Sequence, residues 1–130
     1  MLPLIIGIST GLLSIVLINI LSKSKKQILY GLVLSGIGFL YVGYTWSSLS
    51  QLSMNIVQAF IFVLFAYYGI TRSIYILALG YFLHGLWDLM YSYLTTVNLI
   101  PPHYDIFCLA VDFVMGAYIL ISAKRLAPTV

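Results

Sequence analysis

Long apolar runs separated by short polar segments dominate this chain. A helix needs about 20 apolar residues, within a range of roughly 17–25, to cross the hydrocarbon core of a bilayer. Five runs have that length and predict transmembrane helices at about 3–22, 27–46, 54–70, 75–94 and 106–123. The pattern therefore predicts an all-α membrane protein, a five-helix bundle in which residues 1–130 form a single domain.

The boundary between the third and fourth runs consists of only three residues, Thr71, Arg72 and Ser73. One continuous helix over 54–94 would be about 60 Å long, twice the thickness of the hydrocarbon core. Gly69 stands where a helix would end. A tight hairpin with Arg72 at its tip is therefore expected.

The basic residues fall on one side of the membrane when the five helices alternate in direction. They are Lys23, Lys25 and Lys26 after the first helix, Arg72 between the third and fourth, and Lys124 and Arg125 after the last. Because lysine and arginine collect in cytoplasmic loops, the N-terminus is predicted outside and the C-terminus in the cytoplasm, in the cell membrane. A signal peptide begins with basic residues, but here the uncharged run precedes them, so a membrane helix is expected rather than a cleaved leader.

Composition supports a lipid environment. Hydrophobic residues make up 62% of the chain and charged residues 7%, whereas about a quarter of the residues of a soluble domain are charged. The sequence has no basic stripe, phosphate-binding loop or RNA-reading motif, so the lipid bilayer and not nucleic acid is the expected partner. The single cysteine, Cys108, excludes an internal disulfide or a CxxC motif, and no cofactor is indicated.

Small residues recur along one face of each of the first two helices. Gly7, Gly11 and Ser14 lie on the first, and Gly31, Ser35 and Gly38 on the second. Small faces let helix backbones approach closely in lipid. Internal helix packing is the favoured interpretation, and a homodimer through one such face is left open.

The acidic residues are separated from the basic ones. Asp88 lies six residues before the predicted end of the fourth helix at Leu94, and Asp112 lies six residues after Ile106 in the fifth. Both carboxylates are thus expected about 9 Å beneath the outer boundary. Because these helices are consecutive and antiparallel, the two side chains can meet.

Helical spacing adds further residues to this acidic pair. His84 precedes Asp88 by four residues, so both lie on one face of the fourth helix. Asp105, Cys108 and Asp112 likewise share a face of the fifth. The predicted site is a cluster of His84, Asp88 and Asp112 between the third, fourth and fifth helices. Its expected surroundings are Asn55, Gln58, Tyr81, Trp87 and Tyr91, with an opening past His103 and Asp105.

The negative charge of this cluster needs to be balanced. A charged side chain at the bilayer centre costs about 2.5–3.5 kcal/mol on insertion scales, and every lysine and arginine is predicted at the far side. The charge can be balanced by a protonated Asp88 or Asp112, by a protonated His84, or by a bound cation. With His84 protonated and both aspartates ionised, one further positive charge is needed. The site can therefore take up a proton or a cation.

A metal ion is one form of this hypothesis. His84, Asp88 and Asp112 would supply one imidazole and two carboxylates, whereas zinc and iron sites usually hold more nitrogen or sulfur ligands. The three residues are therefore metal-ligand candidates, and no particular metal is predicted.

The remaining candidates also have structural interpretations. Cys108 fits a small buried apolar residue better than a nucleophile. His103 and Asp105 could belong to a solvated loop, and Trp87 could be a packing ring. The aspartates themselves could serve only to hydrogen-bond helices together.

The C-terminal third carries a recognisable pattern. It consists of His84-Gly-Leu-Trp87-Asp88, then Pro101-Pro102-His-Tyr104-Asp-Ile-Phe-Cys108, then Asp112-Phe-Val-Met-Gly116-Ala-Tyr118. This pattern resembles a family of small uncharacterised bacterial multi-pass integral membrane proteins, and the resemblance implies no activity. In that family further histidines are expected after the Trp-Asp pair. Tyr91 and Tyr93 stand there in this chain, which weakens the case for a metal.

Three functions fit these features. The first is a protein that binds or transports a proton, small cation or small ligand taken from the outer side. The second is an intramembrane enzyme acting on a lipid or isoprenoid, with one aspartate as acid and the other, or His84, as base, although no GxSxG or HExxH motif accompanies it. The third is a structural membrane subunit, in which Asp88→Asn would cost stability but no activity. The first is favoured, and whether the protein is an enzyme stays open.

Overall fold

The computed structural model describes residues 1–21, 25–95 and 99–126, which form helices joined by short connections, without a β-strand. The helices are α1 (Leu2–Leu21), α2 (Lys26–Gly38), α3 (Leu40–Tyr44), α4 (Leu49–Thr71), α5 (Ile74–Leu94), α6 (Tyr104–Ile121) and α7 (Ala123–Leu126). Within the described ranges, five segments are long and apolar enough to cross a membrane: α1, α2 with α3, α4, α5 and α6. The prediction of an all-helical chain with five such helices is confirmed. Lys23 and residues 96–98 of the predicted loops lie outside the described residues.

The second membrane-length segment is interrupted at Phe39, between α2 and α3. The Phe39 N–H donates to the Gly36 carbonyl at 3.1 Å, which is the tighter turn of a 3₁₀-helix. The Gly38 carbonyl accepts a hydrogen bond of 2.6 Å from the side-chain amide of Gln58 on α4. A helix break at membrane depth is tolerated where a neighbouring side chain satisfies the freed backbone group. Gln58 therefore stabilises this break.

α4 begins at Leu49, earlier than the start near residue 54 that the polar run 47–53 predicts. The Ser53 hydroxyl donates to the Leu49 carbonyl inside the helix at 2.8 Å. Gln51 is buried, and its Oε1 accepts from the Tyr91 hydroxyl at 2.7 Å. The polar groups of this turn are thus satisfied by the helix and by the bundle, so polarity does not end the helix here.

The hairpin between α4 and α5 agrees with the prediction. α4 ends at Thr71, and Ser73 caps α5 by accepting a hydrogen bond from the Tyr75 N–H at 3.2 Å. A Cβ added at Gly69 would lie 2.7 Å from Leu77 Cβ and 2.9 Å from Leu77 Cα. Only a residue without a side chain allows the two helices to approach this closely beside the turn.

Glycines also bring α1 against α6. A Cβ at Gly7 would lie 2.7 Å from Ala110 Cβ, and one at Gly11 would lie 3.0 Å from Val114 Cβ. The two contacts advance together along both helices, so α1 and α6 run in the same direction. The small face of the first helix thus packs inside the chain, as the favoured interpretation expects. The homodimer stays a prediction.

The charges are segregated along the bundle, because consecutive membrane-length helices run in opposite directions. The described basic residues lie at one end, namely Lys25, Lys26, Arg72, Lys124 and Arg125. Asp88 and Asp105 lie towards the other end. The candidate site is therefore separated from the fixed positive charges.

Candidate functional site

Three ionisable side chains meet in the interior of the bundle. The imidazole Nδ1 of His84 lies at hydrogen-bond distance, 2.7 Å, from Oδ2 of Asp112, and it lies 3.3 Å from Oδ2 of Asp88. His84 is 4% exposed, Asp112 1% and Asp88 0%. The structure thus brings together the three residues that the sequence pattern selected, with one nitrogen facing two carboxylates.

The local sequence explains this meeting. His84 stands at the middle of α5, and Asp88 follows one helical turn later on the same face. Gly85 lets α6 come close, since a Cβ there would lie 3.3 Å from Asp112 Cβ. On the α4 side, the Phe62 ring packs edge-on against the imidazole, with ring centres 4.7 Å apart. The His84 ring is therefore held from two sides.

Asp112 lies deeper in the bundle than Asp88, contrary to the prediction of equal depth. α6 begins at Tyr104 rather than near residue 106, so Asp112 lies about 12 Å along the helix from its start. Asp88 lies about 9 Å from the end of α5 at Leu94. Asp112 accordingly pairs at the level of His84, and Asp88 is the carboxylate nearer the end of the bundle.

Asp88 is the unsatisfied member of the cluster. Among the described residues, none donates a hydrogen bond to either of its carboxylate oxygens. It lines a cavity of about 220 Å³ together with Tyr41, Tyr91, His103 and Asp105. A buried polar group without a hydrogen-bond partner costs about 1–3 kcal/mol, and more when it is charged. Apart from its contact of 3.3 Å with His84, this fully buried carboxylate on a cavity wall has no hydrogen-bond partner among the described residues, and it is therefore a candidate binding group.

The cavity follows the predicted opening past His103 and Asp105. His103 is exposed and adopts the left-handed conformation with φ 62° immediately before α6. Asp105 is partly buried, and its Oδ1 accepts from the Ile106 N–H at 2.8 Å. An acidic residue in the first turn also interacts favourably with the helix dipole. Both residues border the entrance rather than join the cluster.

A second cavity of about 210 Å³ borders the cluster on its other side. It lies between α1, α2 and α6 and is lined mainly by apolar residues, with His84, Cys108 and Asp112 on its wall. Cys108 is buried, in agreement with its structural interpretation. The cluster therefore borders two cavities, a polar one at Asp88 and an apolar one at His84 and Asp112.

The two α4 amides expected around the cluster, Asn55 and Gln58, bond to groups outside it. Asn55 donates to the Thr45 hydroxyl at 2.9 Å and to the Tyr91 hydroxyl at 3.0 Å. Gln58 bonds to the Gly38 carbonyl. Both amides satisfy neighbouring helices instead of the acidic cluster, because the break after Gly38 and the buried Thr45 present polar groups closer to them.

The aromatic candidates surround the cluster without bonding to it. Tyr91 is held by Gln51 and Asn55 and reaches the site only as a wall of the Asp88 cavity. Trp87 is half-buried and packs against Tyr91 with ring centres 5.9 Å apart, and its buried Nε1 has no acceptor among the described residues. The Tyr81 hydroxyl donates to the Tyr30 carbonyl at 2.6 Å. Trp87 and Tyr81 thus act in packing.

Tyr41 is the functional candidate that sequence reasoning missed. A tyrosine near a predicted helix end is typical of an interfacial anchor, yet Tyr41 is 3% exposed and lines the same cavity as Asp88. Its ring packs on Tyr91 at 4.8 Å between centres. Tyr41 lies in α3, and the packing of α3 beside α5 brings it there, which the pattern of a single helix does not indicate.

Fold and site together define an all-helical protein in which membrane-length helices enclose a histidine between two aspartates. The chain belongs to a family of unknown function, DUF6010, whose sequence model matches residues 2–125. The match spans all five membrane-length helices, beyond the C-terminal third on which the resemblance rests. Membership of a family without an assigned activity is confirmed, while bacterial origin and the motif stay predictions. No curated protein and no solved structure matches the chain.

Proposed function

We propose that the chain is a single-domain, multi-pass protein of the cell membrane. It binds a proton or small cation at His84, Asp88 and Asp112 and transports it across the membrane. The observation that carries the proposal is the state of Asp88. Its carboxylate is fully buried, receives no hydrogen bond from the described residues and borders a cavity. A bound positive charge is the partner such a group requires.

The charge distribution supports uptake from the side opposite to the basic residues. With the basic end in the cytoplasm and the N-terminus outside, the Asp88 cavity faces outward. An inside-negative potential favours entry of a cation from that face by about 2.3 kcal/mol per charge per 100 mV. The membrane potential and the outward-facing cavity would then both favour uptake of a cation from outside.

This orientation is testable with two single-cysteine variants in a Cys108→Ala background. Ser47→Cys is expected to react with a membrane-impermeant maleimide in intact cells. Thr71→Cys, beside Arg72, is expected to react only after the membrane is permeabilised. Both positions are exposed and Arg72 is retained, so the charge that sets the orientation is unchanged. The reverse labelling pattern would show that the N-terminus lies inside.

Transport is tested in proteoliposomes with an imposed inside-negative potential and trapped dyes that report H⁺, Mn²⁺ or Zn²⁺. The wild-type chain is expected to take up at least one of these ions, and Asp88→Asn is expected to reduce uptake to the rate of protein-free liposomes. The control is Tyr118→Phe. Tyr118 follows Asp112 in α6, towards the basic end of the bundle, and its hydroxyl accepts a hydrogen bond from Asn19 at 2.9 Å. Equal uptake by the wild type and Asp88→Asn would contradict the transport role. Uptake that exceeds the background rate in neither protein would contradict it as well.

A second candidate is favoured by the apolar cavity beside His84 and Asp112. An intramembrane enzyme acting on a lipid or isoprenoid needs an acid–base pair next to such a cavity. Here the aspartates and His84 would exchange a proton with the substrate. This function predicts a lipid bound in the apolar cavity after purification, which cation transport does not require.

A further inference from the structure

We infer that the cation held at this site is a divalent first-row transition-metal ion, with the His84 Nδ1 and one oxygen each of Asp88 and Asp112 as its ligands. The inference rests on the proposed function and narrows the class of its ion.

The three ligand atoms are close enough to reach one ion. Donor atoms bound about 2.0–2.2 Å from one ion lie about 2.8–3.6 Å apart, for angles between a right angle and the tetrahedral angle. The Nδ1 atom lies 2.7 Å from Asp112 Oδ2 and 3.3 Å from Asp88 Oδ2. All three ligand atoms lie within 4.8 Å of one another. Small carboxylate rotations would bring them around one ion.

The direction of the ligand atoms favours a metal over a shared proton. Both carboxylates approach the same imidazole nitrogen, Asp112 Oδ2 at 2.7 Å and Asp88 Oδ2 at 3.3 Å, and one proton at that nitrogen forms a hydrogen bond with Asp112. That leaves the oxygens of Asp88 without a donor among the described side chains. A metal ion at Nδ1 displaces the proton from that nitrogen, to Nε2 of the same ring or to solvent. The ion then accepts a lone pair from the imidazole and from both carboxylates at once, so Asp88 gains a partner as well.

The net charge of the three side chains also favours a divalent ion. Two carboxylates and a neutral imidazole carry a charge of −2, and the described lysines and arginines lie at the far end of the bundle. One divalent ion neutralises the group, which lowers the desolvation cost of burying it. A monovalent ion would leave one negative charge uncompensated.

The donor atoms select among divalent ions. An imidazole nitrogen with carboxylate oxygens suits zinc, iron and manganese, whereas magnesium and calcium prefer oxygen alone and copper(I) prefers sulfur. Cys108 lies outside the ligand group. Tyr91, at a position where further histidines were expected, is bonded to Gln51 instead. Zinc is expected to bind more tightly than manganese.

Three protein ligands leave at least one coordination position open. Asp88 lines the polar cavity, so water or an exchanging ligand can reach the ion from that side. An open position suits an ion that enters and leaves, because a closed tetrahedral shell is typical of permanent structural zinc.

The test uses the full chain without a polyhistidine tag, in detergent micelles, stripped of metal and titrated with Co²⁺, Zn²⁺ or Mn²⁺ alone. The visible absorption of Co²⁺ reports its coordination. The wild type is expected to bind one ion per chain, and His84→Gln and Asp88→Asn are expected to weaken binding by about 10-fold or more. Asp88→Glu retains the carboxylate and should restore part of the affinity. Tyr118→Phe should bind as the wild type does.

No saturable binding by the wild type, or equal binding by Asp88→Asn, would overturn the metal assignment. A folded state of each variant, shown by circular dichroism and gel filtration, separates lost ligation from lost structure. Liposome uptake of H⁺ that depends on Asp88, without binding of a divalent ion, would overturn this inference and leave the proposed function standing. Failure of both measurements would remove the two together.

Discussion

Replacing Asp112 by asparagine is expected to lower the free energy of unfolding by about 1.5 kcal/mol in metal-free buffer, whereas Asp88→Asn should leave it unchanged or raise it. Asp112 Oδ2 shares a hydrogen bond of 2.7 Å with His84 Nδ1, and a carboxylate in that bond makes it charge-assisted. Such bonds contribute about 1.5–3 kcal/mol in soluble proteins, but hydrogen bonds between membrane helices average about 0.6 kcal/mol and reach about 1.7 kcal/mol. The expected loss therefore lies near the upper end of the membrane range.

Asp88 differs because its carboxylate is buried without a hydrogen bond from the described residues. Asparagine has nearly the same shape and carries no charge, so the substitution relieves an unfavourable burial next to a second carboxylate. Functional groups commonly lower the stability of the protein that carries them. A loss of stability in Asp112→Asn without a loss in Asp88→Asn is the expected signature of a binding site.

The measurement is a reversible denaturation of each variant in mixed micelles with increasing dodecyl sulfate. The single variants and the double variant together give the coupling between the two carboxylates. If Asp88→Asn lowers stability as much as Asp112→Asn does, both aspartates act to hold helices together. The structural subunit would then be the better interpretation.

Gly7→Ala is expected to destabilise the chain by about 1–3 kcal/mol, the usual range for overpacking a tight contact. The added Cβ would lie 2.6 Å from the carbonyl oxygen of Phe107 and 2.7 Å from Ala110 Cβ. The carbonyl belongs to the backbone of α6 and cannot rotate away, so α1 must shift. That shift would also open the apolar cavity that α1 helps to enclose.

Gly36→Ala is the matched control, since a Cβ at Gly36 meets nothing within 4 Å. Alanine is the better helix former, so this variant should keep or slightly increase stability. Unfolding in mixed micelles measures both variants under the same conditions. Equal effects would show that glycine at position 7 is not required for the packing of α1 on α6.

The helices and the histidine–aspartate pair follow from periodicity and length. Apolar runs of membrane length predict the helices, and the spacing of His84 and Asp88 places both on one face. Asp112 was selected because a carboxylate on the next antiparallel helix could reach them. Its pairing at the level of His84 depends on the start of α6 at Tyr104, which the neighbouring prolines do not specify.

The remaining contacts could not be predicted, because a buried polar side chain bonds whichever group the facing helix presents. Gln58 bonds the carbonyl of Gly38 only because the helix is interrupted at Phe39. Asn55 bonds Thr45 and Tyr91 because the packed helices bring these two hydroxyls next to its amide. Tyr41 reaches the Asp88 cavity through the relative placement of α3 and α5, which is a property of the packed bundle.

The most direct test measures whether a cation stabilises the folded chain through Asp88. Unfolding temperatures of wild type and Asp88→Asn in lipid nanodiscs are compared across a series of Na⁺, K⁺, Mg²⁺, Mn²⁺ and Zn²⁺ concentrations. A ligand at 100 times its dissociation constant stabilises the folded state by about 2.7 kcal/mol. We expect Zn²⁺ or Mn²⁺ to raise the wild-type unfolding temperature and to leave that of Asp88→Asn unchanged. An equal response of the two proteins to every ion would contradict a cation site at His84, Asp88 and Asp112.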